Sequence, residues 1–124
     1  MLDRKSRLKI EDFITYLSSR NVSHFYFETI ENYTGLKRED FYEYIMEMVN
    51  NQELSLKYQV FCPEYDCGIK ITYDSFPEIP FGKIIEDFKG HEIEVEEDIV
   101  IPIFFLTDNL LTEGDLKKPL LLLL

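Results

Sequence analysis

Apolar positions recur at helical spacing over residues 8–20, where Ile10, Phe13, Ile14 and Leu17 stand at i, i+3, i+4 and i+7 while Glu11, Asp12, Ser18 and Arg20 fall largely elsewhere. This is the stripe of an amphipathic helix laid on a core. A polar break at Asn21-Val22-Ser23 precedes a second apolar stretch, His24 to Tyr33, in which Ser23 can cap and Phe27 and Ile30 can face inward. A helix is expected there, although Phe25-Tyr26-Phe27 also scans as strand. Thr34-Gly35-Leu36 interrupts the pattern, since glycine takes the left-handed conformation that ends a helix. From Lys37 to Asn50 the helical spacing returns in Phe41, Tyr44, Ile45 and Met48, with Glu39 and Asp40 in the first turn, where the helix dipole favours anions.

After Asn50-Asn51-Gln52 the period changes to two. Leu54, Leu56, Tyr58 and Val60 alternate with Ser55, Lys57 and Gln59, the mark of a half-buried strand. Shorter strand-like runs follow at Ile69 to Tyr73, Lys83 to Ile85, Glu92 to Val95 and Ile99 to Phe105, separated by turn signals at Pro77, Pro80-Phe81-Gly82 and Lys89-Gly90. The pattern predicts an α+β protein: a tri-helical core with a wing strand over residues 1–63, a small antiparallel β lobe over 64–106, and a tail over 107–124.

The 124 residues suffice for one modest body, and eighteen aromatic residues, ten Phe and eight Tyr, supply the apolar surface to fold it. No run reaches the length needed to cross a bilayer, the five terminal leucines at 120–124 included. Met1-Leu2-Asp3-Arg4-Lys5 leads into no apolar signal core, and two cysteines are too few for a disulfide framework, so a cytoplasmic, reducing setting is expected. The net charge of −11 is concentrated: residues 64–98 hold eleven acids and three bases. That balance opposes general binding to a polyanion and suits a basic partner surface.

Cys62-Pro63-Glu64-Tyr65-Asp66-Cys67-Gly68 has the form of a zinc knuckle widened to C-x4-C, within the spacings that zinc sites use. The second knuckle is expected at Glu86-Asp87-Phe88-Lys89-Gly90, where Glu86 and Lys89 stand at the two cysteine positions. An ammonium is repelled by zinc and one thiolate pair holds the metal poorly, so the expectation is a fold with no cofactor that keeps the turn. His91, with Asp87 or Glu86, is the residue able to join Cys62 and Cys67 in a mixed zinc site. With these residues in view, 8–106 resembles a winged helix followed by a degenerate zinc ribbon, an arrangement found in bacterial and archaeal transcription-associated and defence-associated accessory proteins. The likeness rests on Thr34-Gly35-Leu36, the Cys62 to Gly68 knuckle, Ile79-Pro80-Phe81-Gly82 and Gly90. It implies a fold and licenses no activity.

Three function classes are in play. No H-E-x-x-H, P-loop, G-x-S-x-G or G-x-G-x-x-G pattern is present, His24 reads as a surface or capping residue and His91 as a loop residue, so no enzyme is expected. The leading expectation is a non-enzymatic protein-binding module, an adaptor, accessory subunit or immunity-type inhibitor, using Glu92, Glu94, Glu96, Glu97 and Asp98; alternation with Ile93 and Val95 puts the first three carboxylates on one strand face. The alternative is a winged-helix transcriptional regulator that touches DNA through Arg4, Lys5, Arg7, Lys9, Lys37 and Arg38. Glu39, Asp40, Glu43 and Glu47 on the same third helix oppose it.

Overall fold

The computed structural model describes residues 2–108. It is a mixed α+β structure with three helices, a four-stranded antiparallel sheet and a two-stranded one. In chain order the elements are α1 (Arg4–Ser19), β1 (His24–Phe25), α2 (Phe27–Thr34), α3 (Arg38–Asn50), β2 (Leu54–Phe61), β3 (Lys70–Tyr73), β4 (Ile84–Glu86), β5 (Glu92–Glu94) and β6 (Val100–Leu106). Single 3₁₀ turns lie at Phe76–Glu78 and Glu97–Ile99. Hydrogen-bonded neighbours in the larger sheet run β1-β6-β2-β3, and β4 pairs with β5. Among the described residues no helix is long and apolar enough to cross a membrane.

The chain divides into two compact units. One comprises Met1–Ser55 and the stretch from Phe104; the other is Leu56–Ile103. The second unit is therefore inserted in sequence between the start of β2 and the end of β6, whereas the sequence reading placed two consecutive lobes with a boundary at 63/64. The leucine run at 120–124 lies outside the described residues.

In the first unit the helical stripes bury most of the side chains their spacing selects: Ile10, Phe13, Ile14 and Leu17 from α1, Phe27 and Ile30 from α2, and Phe41, Ile45 and Met48 from α3, while Tyr44 of the last stripe is only half-buried. Asp3 caps α1, its carboxylate accepting from the Ser6 N–H at 2.7 Å. The strand alternative at Phe25-Tyr26-Phe27 holds only at Phe25. His24 and Phe25 pair with Phe105 and Phe104 of β6, so α2 begins only at Phe27 and is capped by Tyr26 and Thr29 rather than by Ser23. This pairing lets Phe104, fully buried, stack on Phe25 at 5.5 Å and meet Phe27 edge-on at 4.8 Å. Burying such a ring contributes about 1.5–3 kcal/mol, and the ring pairs add a fraction more.

The second unit is built on two hairpins. β2 and β3 pair Tyr58 with Tyr73 through to Phe61 with Lys70, and β4 and β5 pair Ile84 with Glu94 through to Glu86 with Glu92. Its core is small: Val60, Cys62, Cys67, Ile79, Ile93, Val95 and Ile99. A unit of about 50 residues with so few buried apolar side chains lies in the range where metals or disulfides commonly supplement the hydrophobic effect.

Candidate metal centre

The turns of the two hairpins each contribute two donors to one cluster. Beyond the Phe61–Lys70 pair, the Cys62 N–H bonds to the Ile69 carbonyl at 3.0 Å, so Cys62 opens a loop that Cys67 closes with its N–H on the Glu64 carbonyl. Beyond the Glu86–Glu92 pair, the Asp87 N–H bonds to the His91 carbonyl at 3.0 Å, so Asp87 and His91 flank the second turn. One donor atom from each of Cys62, Cys67, Asp87 and His91 lies within 4.8 Å of all the others.

Individual separations are tighter. The Cys67 thiol donates to Asp87 Oδ2 at 3.3 Å, His91 Nδ1 lies 3.0 Å from the same oxygen, and Cys62 Sγ is 3.6 Å from Nδ1. Zinc bonds of 2.0–2.3 Å at a tetrahedral angle place donor atoms about 3.3–3.8 Å apart, so the 3.0 Å Nδ1–Oδ2 pair would open slightly around an ion while the 3.3 and 3.6 Å separations already match. Two thiolates, an imidazole and a carboxylate are a donor set that zinc accepts, and the residues present fit the ion.

Asp87 has a divided role. Its side chain is buried, and Oδ1 accepts the backbone N–H groups of Lys89 at 2.8 Å and His91 at 2.9 Å, which leaves Oδ2 aimed into the cluster. Burial on its own raises the Asp87 pKa and is the largest single influence. The hydrogen bonds from the His91 backbone, Cys62, Cys67 and the His91 ring together outweigh it and hold the carboxyl well below the ordinary range. At Cys62 burial also dominates, and with the neighbouring Asp87 and Cys67 it pushes the thiol up to about 11, against a smaller lowering by the Glu64 backbone. A metal must therefore displace a firmly held thiol proton.

Gly68 and Gly90 leave the two turns at φ +71° and +84°. A Cβ at Gly90 would make only ordinary contact with Glu86 Oε1 at 3.5 Å, so the backbone angle and not space calls for glycine there.

The register of the second knuckle differs from the sequence reading. Glu86 is an exposed strand residue paired with Glu92, and the donors are Asp87 and His91, one and two positions beyond Glu86 and Lys89. Lys89 takes no donor position: its ammonium donates to the Cys67 carbonyl at 3.1 Å, outside the set of four donor atoms. The mixed site of Cys62 and Cys67 with His91 and one of Asp87 or Glu86 is the sequence expectation that this geometry matches, with Asp87 rather than Glu86 as the carboxylate. Comparison with protein-family models, with curated proteins and with solved structures returned no match.

The other candidate residues are separate from this cluster. Glu92, Glu94, Glu96, Glu97 and Asp98 are all exposed; Glu92 and Glu94 share the outer face of β5 opposite buried Ile93, while Glu96 lies past the strand and leads into the 3₁₀ turn. Arg4, Lys5, Arg7 and Lys9 are exposed on α1. Arg7 shares a cleft with Glu39, Asp40, Glu43, Glu47 and Glu53. Lys37 is the exposed N-cap of α3, and Arg38 is bound to Glu31 at 2.8 Å and lies over the Phe27 ring. His24 stands on β1 with its ring against Phe105.

Proposed function

We propose that this chain is a non-enzymatic protein-binding module, an adaptor, accessory subunit or inhibitor, whose second unit closes around one structural zinc ion and turns an acidic face to a basic surface of another protein. The observation that carries the reading is the convergence of Cys62, Cys67, Asp87 and His91 from two hairpin turns. Four protein donors complete a tetrahedral shell, which leaves no coordination position for an activated water and fits a structural rather than a catalytic ion.

In this reading the first unit is a winged-helix core. The order α1-β1-α2-α3-β2 and the sheet order β1-β6-β2 support it, with β2 and β6 as wing strands whose stretches from Leu56 onward and up to Ile103 belong to the zinc-ribbon-like second unit. Acids along α3 and the pairing of Arg38 with Glu31 weigh against the DNA-binding alternative.

Elemental analysis of the purified full chain is the deciding measurement. One zinc per chain, lost in Cys67→Ser and in His91→Ala, is the expected result; a chain that takes up no zinc even when it is supplied in excess overturns the metal. The contact surface is tested by neutralising Glu92, Glu94 and Glu96 to Gln. A complex with a basic protein that survives all three changes removes the acidic face from the reading.

A further inference from the structure

We propose that the two donor-bearing turns form the docking tip of the module, with Tyr65 and Phe88 as anchors for an arginine- or lysine-rich segment of a partner protein. Tyr65 is 98% and Phe88 93% exposed, the two most exposed large apolar side chains among the described residues. They occupy equivalent places. Tyr65 sits between Cys62 and Cys67 in the first turn, and Phe88 directly follows Asp87 in the second. The 3.3 Å contact of Cys67 Sγ with Asp87 Oδ2 brings the two turns side by side, so the rings stand on adjacent turns.

Neither ring contributes to the core of its unit, which is drawn from Val60, Cys62, Cys67, Ile79, Ile93, Val95 and Ile99. Aromatic side chains left this open on turns are the residue type that dominates binding energy when a partner covers them. The surroundings select the partner. Exposed Glu64 and Asp66 flank Tyr65, exposed Glu86 stands two positions before Phe88, and the nearby Lys89 ammonium is engaged by the Cys67 carbonyl. Rings set among carboxylates attract guanidinium and ammonium groups through their faces and through charge, and repel phosphates. A basic peptide segment therefore fits this tip and a nucleic-acid backbone does not.

The proposal rests on the zinc reading, because the ion is what fixes the two turns against each other. The experiment measures fluorescence anisotropy of a labelled arginine-glycine repeat peptide with the zinc-loaded full chain in about 0.15 M salt, with a glutamate-glycine repeat as control and zinc content determined on the same samples. The expected result is binding of the arginine peptide alone, weakened about tenfold or more by Tyr65→Ala and by Phe88→Ala and retained in Tyr65→Phe, with zinc content and melting temperature unchanged. A zinc-loaded chain that does not bind the arginine peptide overturns the docking tip and leaves the metal standing. Binding that survives the double alanine variant but is lost on neutralising Glu92, Glu94 and Glu96 also overturns it, since the site would then be the acidic strand. Absence of zinc from every sample is a failure of the metal reading, distinguishable from both.

Discussion

Replacing Cys67 by serine separates a metal ligand from a buried core residue. A structural zinc site binds with about 10–16 kcal/mol of apparent free energy, so equal sharing among four donors assigns about 3 kcal/mol to one thiolate, or roughly a hundredfold in zinc affinity. In the metal-free protein the cost is far smaller. The serine hydroxyl is smaller than the thiol but can still donate to Asp87 Oδ2, which the thiol reaches at 3.3 Å, so about 1 kcal/mol is expected. Calorimetric unfolding of wild type and Cys67→Ser, each with zinc and with excess chelator, reads the difference. At about 4–8 °C per kcal/mol for a small unit, the two losses together should lower the variant's melting temperature by about 16–32 °C with zinc, and the packing loss alone by about 4–8 °C with chelator. If zinc does not raise the wild-type melting temperature, or if the variant loses the same amount in both conditions, Cys67 is a packing residue and the metal argument fails.

Asp87→Asn keeps an oxygen able to accept from the Lys89 and His91 N–H groups but removes the anionic donor, so zinc affinity should fall at least about a hundredfold while the metal-free circular dichroism spectrum is retained; unchanged affinity in a competition titration would make Asp87 a loop residue only. In chelator, the depressed Asp87 pKa contributes stability that is present above its unfolded value of 3.8 and lost as pH falls below it. The Cys62 thiol, raised from 9.0 to about 11, contributes stability that is present below pH 9 and lost as pH rises toward 11; denaturation midpoints across that range should show both limbs, with Cys62→Ser removing the alkaline one. Because that thiol must lose its proton to bind zinc, affinity should tighten by about tenfold per pH unit for each proton released, and a pH-independent titration would contradict thiolate ligation. Phe104→Ala, which empties a fully buried site between Phe25 and Phe27, should cost about 3–5 kcal/mol in urea unfolding; a loss under 1 kcal/mol would mean that β6 does not close the first unit as described.

The helical part was legible because a buried stripe repeats locally. Ile10, Phe13, Ile14 and Leu17 needed only the 3.6-residue period to be assigned inward, and Phe41, Ile45 and Met48 likewise. The short strand at His24–Phe25 was not equally visible. Two residues carry no period, and what makes them strand is their pairing with Phe105 and Phe104 some eighty positions later. The candidate site divides in the same way. Cys62 and Cys67 mark a knuckle-like turn by type and spacing and His91 could be named beside them, but whether Asp87 or Glu86 joins them depended on where the β4–β5 hairpin reversed.

By itself, then, the sequence determined the buried stripes of the helices, the presence of the longer strands, the acidic charge of the middle stretch and the first half of a donor cluster, since each is written in side-chain periodicity or local spacing. The alternating burial expected along β2 is not seen, its interior positions being half-buried on both faces. Only the tertiary structure decided that the β unit runs from within β2 to within β6, and that Asp87 rather than Glu86 joins His91 in the cluster. Both follow from antiparallel pairing between distant segments, whose register is set by hydrogen bonds and burial across the sheet and is not encoded at any single stretch of chain.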